Sequence, residues 1–119
     1  MQRFTDLKVW QLGHALTLEI YHLTASLPED ERFGLVSQMR RSAAGVPTNI
    51  AEGSKRRSNK DYAHFLNLAE SSLAETEYHL ILSRDLEYLP SATAESLFTR
   101  MAELSRMLHA LRVKVERSV

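Results

Sequence analysis

Residues 97–115 read LFTRMAELSRMLHALRVKV, which is the pattern of an amphipathic helix. Apolar side chains recur there at intervals of 4, 3, 4, 3 and 4 residues, and this spacing keeps them on one face of an α-helix. The apolar stripe consists of Leu97, Met101, Leu104, Leu108, Leu111 and Val115. Charged side chains occupy the opposite face. The stretch therefore predicts a long helix that packs one side against neighbouring helices.

The rest of the chain shows helical periodicity in three further stretches. The 4 glycines and 3 prolines that punctuate it are too few for an all-β fold with many turns. Only short connections join the four helical stretches. They predict one domain over residues 1–119, an antiparallel up-down-up-down four-helix bundle. Pro47 predicts a kink in the second helix, because proline removes a backbone donor there. The predicted helices run from Thr5 or Asp6 to about Ser26, from about Asp30 to Lys55, from Ser58 to about Leu86, and from Ser91 or Thr93 almost to the chain end.

The composition excludes several functional classes. The 119 residues include no cysteine, so the chain forms neither disulfides nor thiolate metal sites. Its 15 Lys and Arg residues balance 15 Asp and Glu residues, which argues against nucleic-acid binding through bulk positive charge. No stretch approaches the roughly 18 apolar residues of a membrane helix. We therefore expect a cytoplasmic protein without membrane contacts, metal or cofactor.

The first helix carries a second apolar stripe on almost the opposite side from its core stripe. At about 100° per residue, the two stripes lie about 150° apart. A four-helix core needs only one of them, so we expect a second copy of the chain to cover the other. Burial under a loop, or partial exposure of single residues, is the alternative. The predicted oligomer interface consists of Leu7, Trp10, Leu18 and Tyr21.

Basic residues cluster in and after the second helix, whereas the third helix is mainly acidic. Such a cluster could grip phosphates, and in an oligomer it would be repeated by symmetry. The alternative is that the basic and acidic helices pair with each other. No aromatic residue interleaves with the cluster, so the sequence does not support a stacking platform. The candidate nucleic-acid-binding residues are Arg40, Arg41, Lys55, Arg56, Arg57 and Lys60.

Three polar residues of the second helix suggest a structural network beside Pro47. Proline leaves the carbonyl near Ala43 without its helical donor. The Asn49 amide could satisfy the freed backbone groups, and Arg41 could pair with Glu52. We expect this network to hold the kink or a subunit contact rather than to catalyse a reaction.

Two patterns typical of enzymes are present but incomplete. Glu19 and His22 have the spacing of a di-metal helix, yet no inward carboxylate on the second or fourth helix completes the ligand set. Arg57 and His64 have a spacing seen in some helical ribonucleases, in which histidine acts as acid or base. A single Arg–His spacing is weak in a chain with 5 histidines. An exposed histidine early in the third helix is the simpler interpretation.

Several motifs resemble a known family. They include Phe4-x-Asp6-Leu7-x-Val9-Trp10-Gln11, Asn49-Ile50-Ala51-Glu52-Gly53 and Arg56-x-Ser58-x-x-Asp61-Tyr62. The chain resembles the four-helix-bundle proteins encoded in intervening sequences of bacterial 23S ribosomal RNA genes. It is also similar to the accessory variability determinant of diversity-generating retroelements. The resemblance implies a ring-shaped homopentamer. In the retroelement branch it further implies a basic surface that binds nucleic acid and a partner reverse transcriptase.

The sequence as a whole predicts a non-enzymatic homo-oligomer that acts as a nucleic-acid-associated accessory or scaffold protein, with RNA or DNA as its partner. A purely structural, self-assembling protein is the first alternative. A small ribonuclease that uses Arg57 and His64 is the second.

Overall fold

Four α-helices form the protein in a computed structural model that describes residues 3–118. They are α1 (Lys8–Thr24), α2 (Leu35–Ser54), α3 (Asn59–Asp85) and α4 (Ser91–Arg117). Short 3-10 helices at Phe4–Asp6 and Glu29–Glu31 precede α1 and α2. The described residues contain no strand. The prediction of an all-α, four-helix protein is confirmed.

Two helices begin later than the sequence predicts. Thr5 and Asp6 belong to a 3-10 helix, and the extended backbone of Leu7 separates them from α1. The acidic run after Pro28 also forms a 3-10 helix of its own. Gly34 then adopts φ −109° and ψ −103°, which lies outside the helical region. For this reason α2 begins at Leu35 rather than near Asp30.

The predicted start of α3 is confirmed, because Ser58 caps this helix. The Ser58 backbone is extended, and its Oγ accepts a hydrogen bond from the Asp61 backbone N–H at 3.1 Å. This bond satisfies one of the donors left free at a helix N-terminus.

The apolar stripes meet in one core. Every member of the α4 stripe is buried except Leu111, which is half-buried. Met39, Val46 and Ile50 of α2 are wholly inaccessible to solvent. Removing such side chains from water supplies the main driving force for folding.

Hydrogen bonds between distant residues show which connections share an end of the bundle. The Asn59 side chain donates to the Ser118 carbonyl at 2.9 Å, so the start of α3 lies beside the end of α4. The Tyr88 hydroxyl donates to Glu31 Oε2 at 2.8 Å, so the α3–α4 connection lies beside the α1–α2 connection. The molecule measures 46 × 24 × 20 Å, and these two ends are its extremities along the long axis.

A residue of α1 donates the hydrogen bond that Pro47 cannot donate within α2. α2 continues through Pro47, and the Ala43 carbonyl accepts a hydrogen bond from Thr17 Oγ1 of α1 at 3.1 Å. Gly13 of α1 packs against Val46 and Pro47, and a Cβ on it would lie 3.1 Å from Val46 Cγ1 and 3.5 Å from Pro47 Cδ, so α1 lies close to this part of α2. The kink at Pro47 stays a prediction.

The substitution Gly53→Ala should lower the free energy of unfolding by about 1–3 kcal/mol, although alanine has the higher helix propensity. A Cβ on Gly53 would lie 2.7 Å from Phe65 Cβ and 3.0 Å from Tyr62 Cδ1, so α2 and α3 would have to move apart. Urea denaturation measures the change. Gly13→Ala is the matched control, because its Cβ would come no closer than 3.1 Å to a methyl group of Val46. An equal or smaller loss for Gly53→Ala would contradict the close packing of α2 on α3.

A buried polar cluster joins α2 to α3 within this core. The Thr76 hydroxyl donates to Ser42 Oγ at 2.8 Å, and Ser42 Oγ forms a hydrogen bond with His79 Nδ1 at 3.2 Å. All three side chains are buried. Because buried polar groups are costly when they lack partners, these bonds favour one register of α2 against α3.

The stability of the protein should decrease as the pH falls below about 6.5. Burial lowers the pKa of His79 from its ordinary value of 6.5, against a smaller opposing effect of Glu75. The unfolded chain therefore binds a proton at a higher pH than the folded chain does. Urea midpoints between about pH 7.5 and pH 5.5 test this expectation. The other four histidines are exposed, so His79→Gln should give a flatter pH profile; an unchanged profile would contradict the assignment to His79.

Candidate nucleic-acid interface

Four of the predicted basic residues lie together at one end of the bundle. Lys55, Arg56 and Arg57 follow the last residue of α2, and Lys60 lies in the first turn of α3. All four side chains are exposed. The short connection between α2 and α3 therefore exposes all four cations at neighbouring positions.

Other elements bring further cations to the same end. The bond between Asn59 and Ser118 places the last turn of α4, with Lys114 and Arg117, beside the start of α3. The Lys55 ammonium lies 6.0 Å from the centre of the Phe4 ring, which places the N-terminal segment there as well. We call this surface the basic end; its cations are Arg3, Lys8, Lys55, Arg56, Arg57, Lys60, Lys114 and Arg117.

Sequence reasoning missed the contribution of the N-terminal segment and of α4. The signal was present in two places, in the basic last turn of α4 and in the up-down order of the predicted helices. That order brings the end of the fourth helix to the start of the third. These residues lie far apart in the sequence, so a search for contiguous charge does not find them.

Arg40 and Arg41 do not belong to the basic end. Arg41 precedes Lys55 by 14 residues, or about 20 Å along a helix. Arg40 is half-buried, and it donates through Nε to Thr24 Oγ1 at 2.9 Å and through Nη2 to the Tyr21 carbonyl at 3.2 Å. Its guanidinium also lies 4.6 Å from the Tyr21 ring centre. The structure thus divides the predicted six-residue cluster into two separate surfaces.

Aromatic rings of other elements lie beside two cations of the basic end, although no aromatic residue interleaves with the predicted cluster in the sequence. The Arg56 guanidinium lies 4.5 Å from the centre of the Phe65 ring, and Phe4 lies beside Lys55. Both rings come from elements other than the basic connection itself. Cation–π attraction at such distances restrains the long side chains, so the cations are held over the surface of the bundle.

Acidic residues outnumber basic residues at the opposite end. Arg84 neutralises part of this negative charge, because it forms ion pairs with Asp85 at 3.0 Å and with Glu95 at 3.7 Å. The acidic residues of this end are Glu29, Asp30, Glu31, Asp85, Glu87 and Glu95. Among the residues that the structure describes, no ion pair joins a cation of α2 to an acid of α3. Pairing of the two helices within one chain, the alternative suggested by the sequence, is absent there.

An open groove of about 420 Å³ runs between α3 and α4 next to the basic end. Arg112 is fixed on its wall by ion pairs with Glu70 and, at 2.7 Å, with Glu116. The hydrogen bond to Glu70 is the main cause that raises the pKa of Arg112 further above its ordinary value. The residues that line this groove, here named the α3–α4 groove, are Lys60, Ala63, His64, Asn67, Arg112 and Glu116.

The predicted polar network beside Pro47 has different members in the structure. Asn49 Nδ2 donates to the Gly45 carbonyl at 2.8 Å within α2. Arg41 and Glu52 are exposed, and neither takes part in an ion pair among residues 3–118. The freed Ala43 carbonyl accepts from Thr17 instead. The network therefore joins α1 to α2 and does not involve the arginine.

The predicted oligomer interface divides into a half-buried part and an exposed part. Leu7 and Trp10 are half-buried against their own chain, with the Trp10 ring 5.4 Å from Phe4 and stacked on His14 at 5.0 Å. Leu18 and Tyr21 remain 58% and 46% exposed. Tyr21 shares a wide groove of about 690 Å³ with Phe33, which is 89% exposed. The sequence-based prediction placed Phe33 inside the second helix, whereas in the structure it lies in the connection before α2.

One of the two residues of the ribonuclease alternative lines the α3–α4 groove. His64 lies there together with Lys60 and Arg112, whereas Arg57 belongs to the basic end. No group of three or more His, Cys, Asp or Glu side chains within residues 3–118 could hold a metal ion. None of the helices described is long and apolar enough to span a membrane.

Comparisons with known proteins agree with this architecture. The crystal structure of a protein with unknown function from the S23 ribosomal protein family from Bacteroides thetaiotaomicron VPI-5482 matches with a TM-score of 0.78. The two sequences are 26% identical, and the match covers 87% of this chain and 97% of that chain. No curated protein matches the chain. Residues 5–110 match the model of the 23S rRNA-intervening sequence proteins, and the chain belongs to that family.

Proposed function

We propose that this protein binds RNA through the basic end of the bundle and acts as a homo-oligomeric accessory or scaffold protein without catalytic activity. The observation that carries the proposal is the charge distribution. In a chain with 15 basic and 15 acidic residues, cations from the N-terminal segment, the α2–α3 connection and the end of α4 converge on one surface.

Phosphate groups are the ligands that such a surface suits best. Lysine and arginine displace the counterions condensed around a nucleic acid, and the released ions drive binding. Arginine also offers a planar set of donors that matches phosphate oxygens. Four carboxylates also lie at this end, those of Asp6, Glu52, Asp61 and Glu116. Within residues 3–118 none of them forms an ion pair with a cation of the basic end, and Glu116 pairs with Arg112 instead.

The family favours RNA over DNA as the nucleic acid to be tested first. Its members are named for intervening sequences of 23S rRNA. We infer that a structured RNA is the natural partner, and that duplex DNA binds only through the same phosphate contacts.

The salt dependence of binding tests this proposal. The logarithm of the affinity for a structured RNA should fall linearly with the logarithm of the salt concentration, with a slope of about −0.9 for each phosphate contacted. Fluorescence anisotropy measures the affinity, and gel analysis of the same samples should show intact RNA. Absence of binding at low salt would favour the purely structural alternative, and cleaved RNA would favour the ribonuclease alternative.

We further propose that copies of the chain assemble through the exposed face of α1. Leu18, Tyr21 and Phe33 expose apolar surface beside arginines that include Arg41. The outer face of α3 is complementary, because it exposes Tyr78 together with the acids Glu75 and Glu77. Contact between two different faces generates a ring if the rotation closes. Five subunits are expected from the family resemblance, and multi-angle light scattering counts them.

The contacts between helices support the antiparallel, up-down-up-down order. The start of α3 lies beside the end of α4, and the α1–α2 and α3–α4 connections share the opposite end. Each helix then runs opposite to its neighbour in sequence, which is the usual result of short connections.

A further inference from the structure

The α3–α4 groove is lined by side chains that have no role in the phosphate binding proposed above. It opens beside the basic end, and Lys60 belongs to both surfaces. Its volume of about 420 Å³ lies within the range of sites that hold one small organic ligand. We propose that this groove holds a single unpaired nucleotide of the bound RNA, an inference that rests on the proposed function and names the RNA structure recognised.

The charge of the groove matches one nucleotide rather than a polyanion. Its lining contains two cations, Lys60 and Arg112, and one acid, Glu116, which is paired with Arg112. Lys60 is exposed and suits a single phosphate. The lining also includes the buried residue Ala63, which offers apolar contact to an uncharged base.

Two exposed side chains suit the recognition of a base. The Asn67 amide carries both donors and an acceptor, the combination that pairs with the edge of a base. The His64 ring is held against Phe65 in an edge-to-face arrangement, with 5.7 Å between ring centres. Its outer surface is exposed in the groove, and a planar ring in this position can stack on an unpaired base.

Paired bases cannot reach these side chains. In an RNA duplex the faces of the bases are stacked on one another and the deep major groove excludes side chains, whereas bases in loops and bulges can turn outwards. The phosphates of either form can contact the basic end. The α3–α4 groove therefore distinguishes RNA with unpaired nucleotides from fully paired RNA.

A comparison of two RNAs of equal length tests this inference. One contains a bulge of unpaired nucleotides, and the other is fully paired, so that both carry the same number of phosphates. The wild-type protein should bind the bulged RNA about tenfold more tightly, as expected when one base stacks. The variant His64→Ala/Asn67→Ala should lose this preference and retain its affinity for the duplex. His22→Ala/Gln38→Ala replaces an exposed histidine and an exposed amide on other helices and should keep the preference.

The outcomes separate this inference from the proposed function. Equal affinity of the wild-type protein for both RNAs overturns the inference, and so does a preference that survives in His64→Ala/Asn67→Ala. In both cases salt-dependent binding still supports the basic end as the contact surface. Failure to bind either RNA overturns both proposals. Thermal unfolding of each variant checks that these exposed substitutions leave the fold intact.

Discussion

The double variant Arg56→Glu/Arg57→Glu should bind structured RNA about a hundredfold more weakly than the wild-type protein at low salt. Both side chains are exposed in the α2–α3 connection, so each substitution removes a phosphate contact and places a negative charge in the same position. The salt slope should become shallower by about two contacts, close to 1.8 in logarithmic units. Fluorescence anisotropy at several salt concentrations measures both effects.

A matched control variant distinguishes the effect of where the substituted charges lie from the effect of the net charge. The variant Arg100→Glu/Arg106→Glu makes the same change in net charge on the exposed side of α4, away from the basic end. Arg100 forms one surface ion pair there, at 3.4 Å from Glu19, which contributes little to stability. This variant should bind almost as the wild-type protein does. If both double variants lose affinity equally, the basic end is not the contact surface.

The double variant Leu18→Glu/Tyr21→Glu should convert the proposed oligomer to monomers. These side chains lie one helical turn apart and are largely exposed in a single copy. In the proposed assembly the new carboxylates would be buried against a face that carries the acids Glu75 and Glu77. Burial of charge and repulsion between like charges should therefore destabilise the assembly more than the isolated chain. Trp10 is a poorer target, because it packs against Phe4 and the core of its own chain. Multi-angle light scattering gives the mass directly.

The control for added charge is Ala102→Glu/Ala110→Glu, which changes two exposed positions on α4. It should leave the mass of the assembly unchanged. A wild-type protein that is already monomeric, or a Leu18→Glu/Tyr21→Glu variant of undiminished mass, would contradict the assignment of this face. Circular dichroism should show the same helix content in all three proteins.

The sequence predicts the helices well, because their determinants are local. The apolar stripe from Leu97 to Val115 and the cap at Ser58 each depend on residues within one or two turns. The late start of α2 is harder to predict, since Glu29–Glu31 have helical geometry of a tighter kind that Gly34 then interrupts. Acidic residues suit the N-terminus of a helix in general, so they do not show by themselves whether an α-helix or a 3-10 helix forms.

The candidate sites depend on contacts between distant residues, and there the sequence is less informative. The sequence places Arg40 and Lys55 in one predicted helix, yet in the structure Arg40 is bonded to residues of α1, whereas Lys55 is exposed after the end of α2. The donor to the Ala43 carbonyl comes from Thr17, which is 26 residues away. The ring beside Lys55 comes from Phe4. Such partners follow from packing, which the pattern of one helix does not specify.

The separation of acids and bases along the 46 Å bundle gives a neutral protein a large electric dipole moment. In the field of a polyanion such a molecule experiences a torque before it makes contact, and it turns its cationic pole forward. Encounters therefore begin in a nearly productive orientation. The rate of association should decrease as ionic strength rises, although the protein carries no net charge.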